Sequence, residues 1–438
     1  MRRIARNTLL LSAKHAVSIA AEIVALGVVI RALGADGYGV YTAAFGVMGV
    51  VFMLSGTLNE VFCRFISYEM GKGGRGDVPA VFASTLLLTV LFLIVTLLIG
   101  ESAGLWFVRR WLVVPDGLAG PAELAYYAIL VSTAVGALSI PFSAYALATE
   151  RMGVVAQMGF LASGVSVVVA PALFRFAPEN RLVAYAGLEV AGAAVVTLAY
   201  AVRFSAVLRS SFCARGVRRR LRSTGAYFLW SSLRSVAHTV RFQGTQLYGN
   251  ACCGVAFNSA WGAAMRFGQW LFAPAVCFRD AYTPRIVKLR AEGDVRRFLS
   301  FVIFCCALSA LVFLVFAAPA FICAPGLGRA WLGSSMPADF VLFARWVLVF
   351  FLFDAVIYPL HAAIASDERI AGYQTVVSVI IALGFGFAAL LLTCGLPPSS
   401  AVAGVAIGNG VSLVYRIGYL RSRTLAAKGD CSGRADMR

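Results

Sequence analysis

Several stretches of this chain place ionisable and amide side chains inside otherwise apolar sequence. Lys14, Ser18 and Glu22 recur at a spacing of four, which puts them on one face of a helix. Asn59, Glu60 and Arg64 end a second stretch, with Glu60 and Arg64 at i and i+4, a spacing at which opposite charges neutralise each other. Near mid-chain, Arg234, His238, Arg241 and Thr245 share a face, with Gln243 and Gln246 beside them. Arg266 and Gln269 precede Pro274, and Arg345 and Asp354 interrupt a later apolar run. A charge at the centre of a bilayer costs about 3 kcal/mol even on permissive scales, so such residues face water, a partner or a substrate. Arginine is the better fork for phosphate and stays charged when buried. Lys14, Arg64, Arg234, His238, Arg241, Gln243, Arg266 and Gln269 are therefore the candidate substrate-binding residues. Glu22, Glu60 and Asp354 are the candidates for coupling to protons or sodium. Each group has a plainer alternative: Lys14 snorkels to the cytoplasmic face, Arg64 simply follows its helix, Glu60 holds Arg64, and Arg345 pairs with a carboxylate or headgroup.

Enzyme chemistry finds little support. No GxSxG, Walker loop, HExxH or paired-carboxylate motif is present. The three histidines, His15, His238 and His361, are too dispersed for a metal site. The ten cysteines are scattered without CxxC spacing, mostly in apolar runs, where cysteine acts as a small hydrophobe. No cofactor or metal is expected. Without an ATP-binding domain, active transport would draw on an ion gradient, the substrate gradient or downstream consumption.

The elements that carry these residues are membrane helices. The chain is 60% hydrophobic and only 13% charged, against about a quarter charged in soluble domains. Twelve segments qualify as spans: roughly 8–32, 38–63, 80–100, 122–147, 154–175, 182–206, 226–249, 254–278, 298–322, 337–360, 370–393 and 399–420. The seventh is the least hydrophobic. The first is interrupted by Lys14 and Glu22 and lacks a following cleavage site, so it reads as a membrane helix and not a removed signal peptide. A net charge of +18 need not mean nucleic acid as a partner. With the N-terminus in the cytoplasm, most lysines and arginines fall on that side, which sets both termini there. Trp106, Trp111 and Trp331 sit near the opposite face.

The basic segment RSSFCARGVRRRLRSTG divides the chain. The expected organisation is a six-helix bundle at 1–207, a basic cytoplasmic linker at 208–224, a second bundle at 225–424 and a tail at 425–438. An internal repeat supports it: LGADGYGVYTAAFG and GNACCGVAFNSAWG recur about half a chain apart, as do Gly76-Asp77-Val78 and Gly293-Asp294-Val295. Both copies keep the same inside/outside order, so they are parallel repeats. The fold class is all-α, with two pseudo-symmetric bundles around a central cavity. The polar faces fall chiefly on helices 1, 2, 7 and 8, and their balance is positive, which suits an anionic headgroup.

The run RALGADGYGVYTAAFGVMGVVFMLSGTLNEVFCRFISYEMGKG, then AGLWFVRRWLVVP, PFSAYALATERMGV and AYTPRIVKLRAEGD, with weaker echoes at RAWLG and IASDERIAGYQ, resembles the Wzx-type oligosaccharide flippases. These belong to the multidrug/oligosaccharidyl-lipid/polysaccharide (MOP) superfamily. The resemblance implies a cationic cavity that flips undecaprenyl-diphosphate-linked oligosaccharide units by alternating access across the bacterial inner membrane, for O-antigen or capsule synthesis. It implies membrane lipids, a polysaccharide polymerase and glycosyltransferases as further partners. Arg64, Gln243, Gly244 and Gln269 match positions where such proteins carry arginine or polar residues. The seventh helix departs in being richer in arginine. The alternatives are a lipid II-type flippase, a multidrug or cation exporter of the same superfamily, or a membrane subunit that scaffolds glycosyltransferases. An exporter of cations requires an acidic or aromatic cavity.

Overall fold

The computed structural model describes residues 2–72, 77–212, 217–292, 294–365 and 371–435. Gly76, Gly293, Arg369 and residues 213–216 of the basic segment lie outside the described residues, as does the side chain of Arg234. Every regular element among the described residues is helical. Among the described residues, nine stretches are long and apolar enough to cross a membrane by length and composition. Residues 226–249, the least hydrophobic segment of the sequence, and 255–278 are helical but do not meet that test, and 38–63 meets it only in the part shared with Lys14–Gly49.

The chain forms two compact units, the first made of Met1–Thr239, Cys253–Ser259 and Leu332–Ser335 and the second of Val240–Cys252, Ala260–Trp331 and Met336–Arg438. Unit 1 begins with α1 (Arg2–Gly71), which breaks at Gly34 into two rods. Gly34 has φ +74°, a conformation that any Cβ penalises. Then follow α2 (Val78–Ile99), α3 (Leu105–Arg110), α4 (Ala119–Ala137), α5 (Ile140–Ala148), α6 (Met152–Ala172), α7 (Arg181–Arg203), the short α8 (Ser205–Phe212) and α9 (Val217–Thr239). A wide π-turn, Gly100–Gly104, joins α2 to α3. Tyr126 of α4 fills the space there and donates to the Gly100 carbonyl at 2.7 Å, the kind of insertion that opens a helical turn. Leu58, Phe62, Phe82, Phe142, Tyr200 and Phe228 form the centre of this unit's largest apolar core.

Unit 2 starts with a second π-turn, Val240–Gly244, leading into α10 (Thr245–Cys253). Gly254, at φ +73°, separates it from α11 (Val255–Ala291). α12 (Val295–Leu332), α13 (Phe340–Ala365), α14 (Ala371–Thr393) and α15 (Ser399–Ala435) complete the unit. Counted with α1 as two rods, α2 with α3, α4 with α5, and α9 with α10, and with the short α8 left aside, the helical rods among the described residues number twelve. Many large apolar side chains on α2 and α12, such as Leu91, Leu98, Ile303 and Ile322, are exposed. Helices that are apolar all round belong in lipid.

The repeated Gly-Asp-Val has a local cause. The Asp77 carboxylate accepts the Ala80 backbone N–H at 3.0 Å, and Asp294 accepts that of Arg297 at 3.0 Å. Each aspartate is the N-cap of the third rod of its repeat. Thr42 and Asn258, which match in the other repeated motif, also meet: the Thr42 hydroxyl donates to the Asn258 carbonyl at 3.2 Å. A methyl group on nearby Gly39 would stand 2.3 Å from the Val255 carbonyl, so only glycine permits this approach.

Candidate functional site

Two charged side chains are buried among the described residues of unit 2, Arg241 and Arg416. The π-turn at Val240–Gly244 interrupts the α-helical register and carries Arg241, which is only 3% exposed. Such single wide turns re-aim side chains and recur at functional sites. The turn is held in place from two sides. Thr245 donates to the Arg241 carbonyl at 2.6 Å, and Gly244 lies against the Phe385 ring of α14. The Arg241 guanidinium sits 4.6 Å from the centroid of Phe242 and 4.8 Å from that of Phe350, both within cation–π range.

Arg241 Nη1 donates to Asn409 Oδ1 at 3.1 Å, while Asn409 Nδ2 donates to Asp354 Oδ1 at 2.8 Å and to the Phe350 carbonyl at 3.2 Å. The amide orientation follows from chemistry: a guanidinium only donates and an ionised carboxylate only accepts. Asn409 therefore bridges the arginine of the π-turn to the aspartate of α13. The bridge depends on how closely α14 and α15 cross. Gly404 and Gly408 lie against Ala388 and Gly384, and a Cβ on Gly408 would stand 2.8 Å from the Gly384 Cα. Small residues four apart allow such backbone contact between membrane helices.

A second polar tier lies two helical turns along. His361 follows Asp354 by seven residues on α13, and Arg416 follows Asn409 by seven on α15, so each pair shares a face. Arg416 is 5% exposed. It donates to the Tyr373 hydroxyl, to Ser412 Oγ at 3.2 Å and to His361 Nδ1 at 3.3 Å. Arg416 is a pure donor, so in this contact His361 Nδ1 is the accepting atom. Tyr373 is packed with Tyr415 and Tyr419. Arg241 and Arg416 are the fully buried charged side chains among the described residues of unit 2, and both are cations.

Of the candidates named from the sequence, the structure joins Arg241 and Asp354, through Asn409. Gln243 is half-buried on the same π-turn, and Arg266 and Gln269 of α11 are exposed. In unit 1, Lys14 and Glu22 are half-buried. The Lys14 stem lies against Gly159 of α6, and Ser163 of α6 donates to Ser18 at 2.9 Å. Part of that polar face is thus used in packing. Arg64 lies 4.2 Å from the Tyr227 ring of α9; it forms no ion pair with Glu60 among the described residues. Glu60 is exposed and His238 half-buried. Arg345 binds the Phe321 carbonyl at 3.3 Å.

Sequence reasoning missed Asn409, Arg416 and Tyr373, and one site in unit 1. Glu69, 1% exposed at the end of α1, accepts Arg220 Nη2 at 2.6 Å, Lys72 Nζ at 2.9 Å and the Asp77 backbone N–H at 3.1 Å. Burial alone would raise this carboxyl. The bonds from Arg220, Lys72 and Asp77 outweigh it and hold the pKa at about 2. The ion pair fastens the start of α9 to the α1–α2 corner.

No protein-family model and no curated protein matches the chain. Its fold is nevertheless that of known transporters. An inward-facing multidrug resistance transporter of the MATE family, in the MOP superfamily, superposes with a TM-score of 0.77 at 16% identity, over 93% of this chain and 96% of the other. An outward-facing form gives 0.69 at 16% identity, over 96% of both chains. A MOP superfamily transporter from Pyrococcus furiosus, described as having a binding pocket of reverse polarity that suggests a different function, gives 0.62 at 15% identity, over 96% of both chains. The chain thus has the all-helical, multi-pass membrane fold of these transporters along nearly its whole length.

Proposed function

We propose that this protein is a secondary-type membrane transporter, not an enzyme, and that it moves an anionic lipid-linked oligosaccharide across the bacterial cytoplasmic membrane by alternating access. The diphosphate linkage would be the group it grips, with undecaprenyl diphosphate as the carrier and a surface polysaccharide as the destination. The observation that carries this reading is the sign of the buried charge in unit 2. Two buried arginines, Arg241 and Arg416, stand with the carboxylate of Asp354, which reaches Arg241 through Asn409; the fully buried charges among the described residues of unit 2 are both positive. A low-dielectric interior with excess positive charge favours an anion and opposes a cation. The fold supports transport as the general activity. The residue similarity to Wzx-type flippases supports the glycan as cargo. Among rival cargoes, the sign of the charge opposes a cationic drug, whereas lipid II shares the same diphosphate chemistry. The lysines and arginines on the proposed cytoplasmic side support the orientation with both termini inside.

The test is genetic and chemical. Removing the protein from its source cell is expected to leave the lipid-linked glycan accumulated on the cytoplasmic leaflet and to deplete the surface polysaccharide. Restoring the wild-type chain should reverse both, and Arg241→Ala at equal protein level should not. Normal surface glycan in the deleted cell, together with new sensitivity to cationic dyes, would overturn the assignment in favour of drug export.

A further inference from the structure

Glu189 of unit 1 lies at the middle of the Pro178–Arg203 span, where an ionisable group is costly and calls for a function. Among the described residues its carboxylate makes no ion pair and no hydrogen bond. Its neighbours are phenols. Tyr185 precedes it by one turn on the same face of α7. Tyr41, from the second rod of α1, packs against Tyr185 with ring centroids 4.7 Å apart. The Tyr185 hydroxyl is hydrogen-bonded to Tyr41, and Glu189 and Tyr38 act on it electrostatically. Phe45 continues the aromatic face, stacked on Tyr41 at 6.5 Å, and Phe52 follows at 6.0 Å from Phe45 and is 61% exposed. Tyr41, Tyr185 and Glu189 are each half-buried. The turn that carries Glu189 is pinned from α4. Ser132 donates to the Glu189 backbone carbonyl at 3.3 Å, and further along α7 Thr197 donates to the Val135 carbonyl at 2.9 Å. Such polar ties hold membrane helices in register.

Resting on the lipid-linked oligosaccharide proposed above, we propose that Glu189, Tyr185 and Tyr41 form a carbohydrate subsite within unit 1. The carboxylate accepts hydroxyl protons of the glycan, and the tyrosine rings meet the C–H face of a pyranose. A sugar ring has two kinds of surface, hydroxyls around its edge and C–H groups on its faces. Hydroxyls on adjacent carbons suit a carboxylate, which offers two acceptor oxygens and no donor. The apolar face of a pyranose buries well against an aromatic ring, and a phenol adds a hydroxyl at the ring edge. Tyr41 and Tyr185 spend one hydrogen bond on each other and keep acceptor lone pairs for the glycan. The negative charge of Glu189 opposes a phosphate. The subsite therefore selects the uncharged glycan and adds to the phosphate chemistry of unit 2 without repeating it. An organic cation also answers a carboxylate beside aromatic rings. It would leave the phenolic hydroxyls unused, and the positive sign of Arg241 and Arg416 opposes it. A site built to bond hydroxyls rejects a ligand that lacks them, so the consequence is selectivity between cargoes.

The experiment uses the full chain in nanodiscs of zwitterionic lipid and reads the affinity for two probes of equal charge. One is a short prenyl-diphosphate-linked hexose; the other is the same prenyl diphosphate capped with a methyl group in place of the sugar. The wild type should bind the hexose probe about tenfold tighter, the scale of a hydrogen bond to a charged group. Glu189→Leu should erase that preference and leave the affinity for the methyl-capped probe unchanged. Glu189→Gln, which keeps a neutral acceptor, should retain part of it, and Tyr185→Phe should reduce it. Arg241→Ala should weaken both probes alike and leave their ratio intact. Equal wild-type affinity for the two probes would overturn the subsite and leave the anionic cargo standing. A Glu189 variant that keeps the full preference, or that weakens both probes equally, would do the same. Glu189-dependent binding of tetraphenylphosphonium without a hexose preference would overturn it in favour of a cation. Indifference of both probes to Arg241→Ala would overturn the phosphate grip alone, and absence of binding by both would overturn cargo and subsite together. Should Glu189→Leu fail to fold, the wild-type ratio and its fall in Glu189→Gln decide.

Discussion

Replacing Glu69 with glutamine removes the charge that three donors share, and the size of the effect can be worked from the site. The carboxyl is held at about 2 in the folded protein, against an ordinary 4.5. A shift of that size corresponds to about 3 kcal/mol of preference for the ionised form. Arg220 and Lys72 are 31% and 40% exposed, so solvent screens part of it, and about 2 kcal/mol is the expected loss. For a chain of 438 residues, that lowers the unfolding midpoint by roughly 2 °C. The sign against pH follows from the depressed pKa. The contribution is complete above 4.5 and is lost only as pH falls toward 2. The difference between wild type and Glu69→Gln in detergent, followed by thermal unfolding, should therefore be constant from pH 8 to pH 5 and narrow only in stronger acid. Arg220→Ala should reproduce most of it, and the double variant should add little, because both substitutions break one interaction. A Glu69→Gln protein as stable as the wild type at pH 7, or a difference that vanishes between pH 7 and 6, would refute this account of the corner.

Other outcomes follow from single contacts. Gly408→Leu should abolish stable folding, seen as loss of the monodisperse peak in size-exclusion chromatography, because its side chain collides with the Gly384 backbone; Gly386→Leu, at a position with open space, should be tolerated. Gly34→Ala should cost about 1–2 kcal/mol in thermal unfolding from the left-handed backbone alone, since nothing lies within 4 Å of the added methyl. Arg241→Lys should retain the charge and lose the planar fork, weakening prenyl-diphosphate binding roughly tenfold, while Arg241→Ala should weaken it about 100-fold.

The architecture was largely legible, for reasons that particular residues make plain. Long apolar runs and the placement of arginines specify membrane helices directly. The repeated Gly-Asp-Val was visible as a pattern, and its meaning as paired helix caps at Asp77 and Asp294 emerged only with the backbone. Gly34 and Gly254 mark the matching breaks between first and second rods, although a glycine in a membrane helix carries no such message alone. The site was half legible. Arg241 and Asp354 stand out because charge is rare in apolar sequence. Asn409 did not, because a neutral amide among glycines gives no such contrast. Arg416 sits near the end of its segment, where an arginine reads as the edge of the membrane. Glu69 escaped for another reason: its main partner, Arg220, lies 151 residues away. No helical spacing can reveal that pair. Arg64, placed by spacing beside Glu60, lies over the Tyr227 ring at 4.2 Å, a contact between α1 and α9 that no helical spacing announces.

The most direct test of the proposed activity is translocation by the purified full chain in proteoliposomes. A fluorescent prenyl-diphosphate-linked oligosaccharide is placed in both leaflets, and its exposure to an external quencher is followed with time. Wild-type protein should move the glycan between leaflets, Arg241→Ala should not, and a cationic dye should not be transported by either. Transport of the cationic dye with no movement of the glycan would contradict the account at its centre.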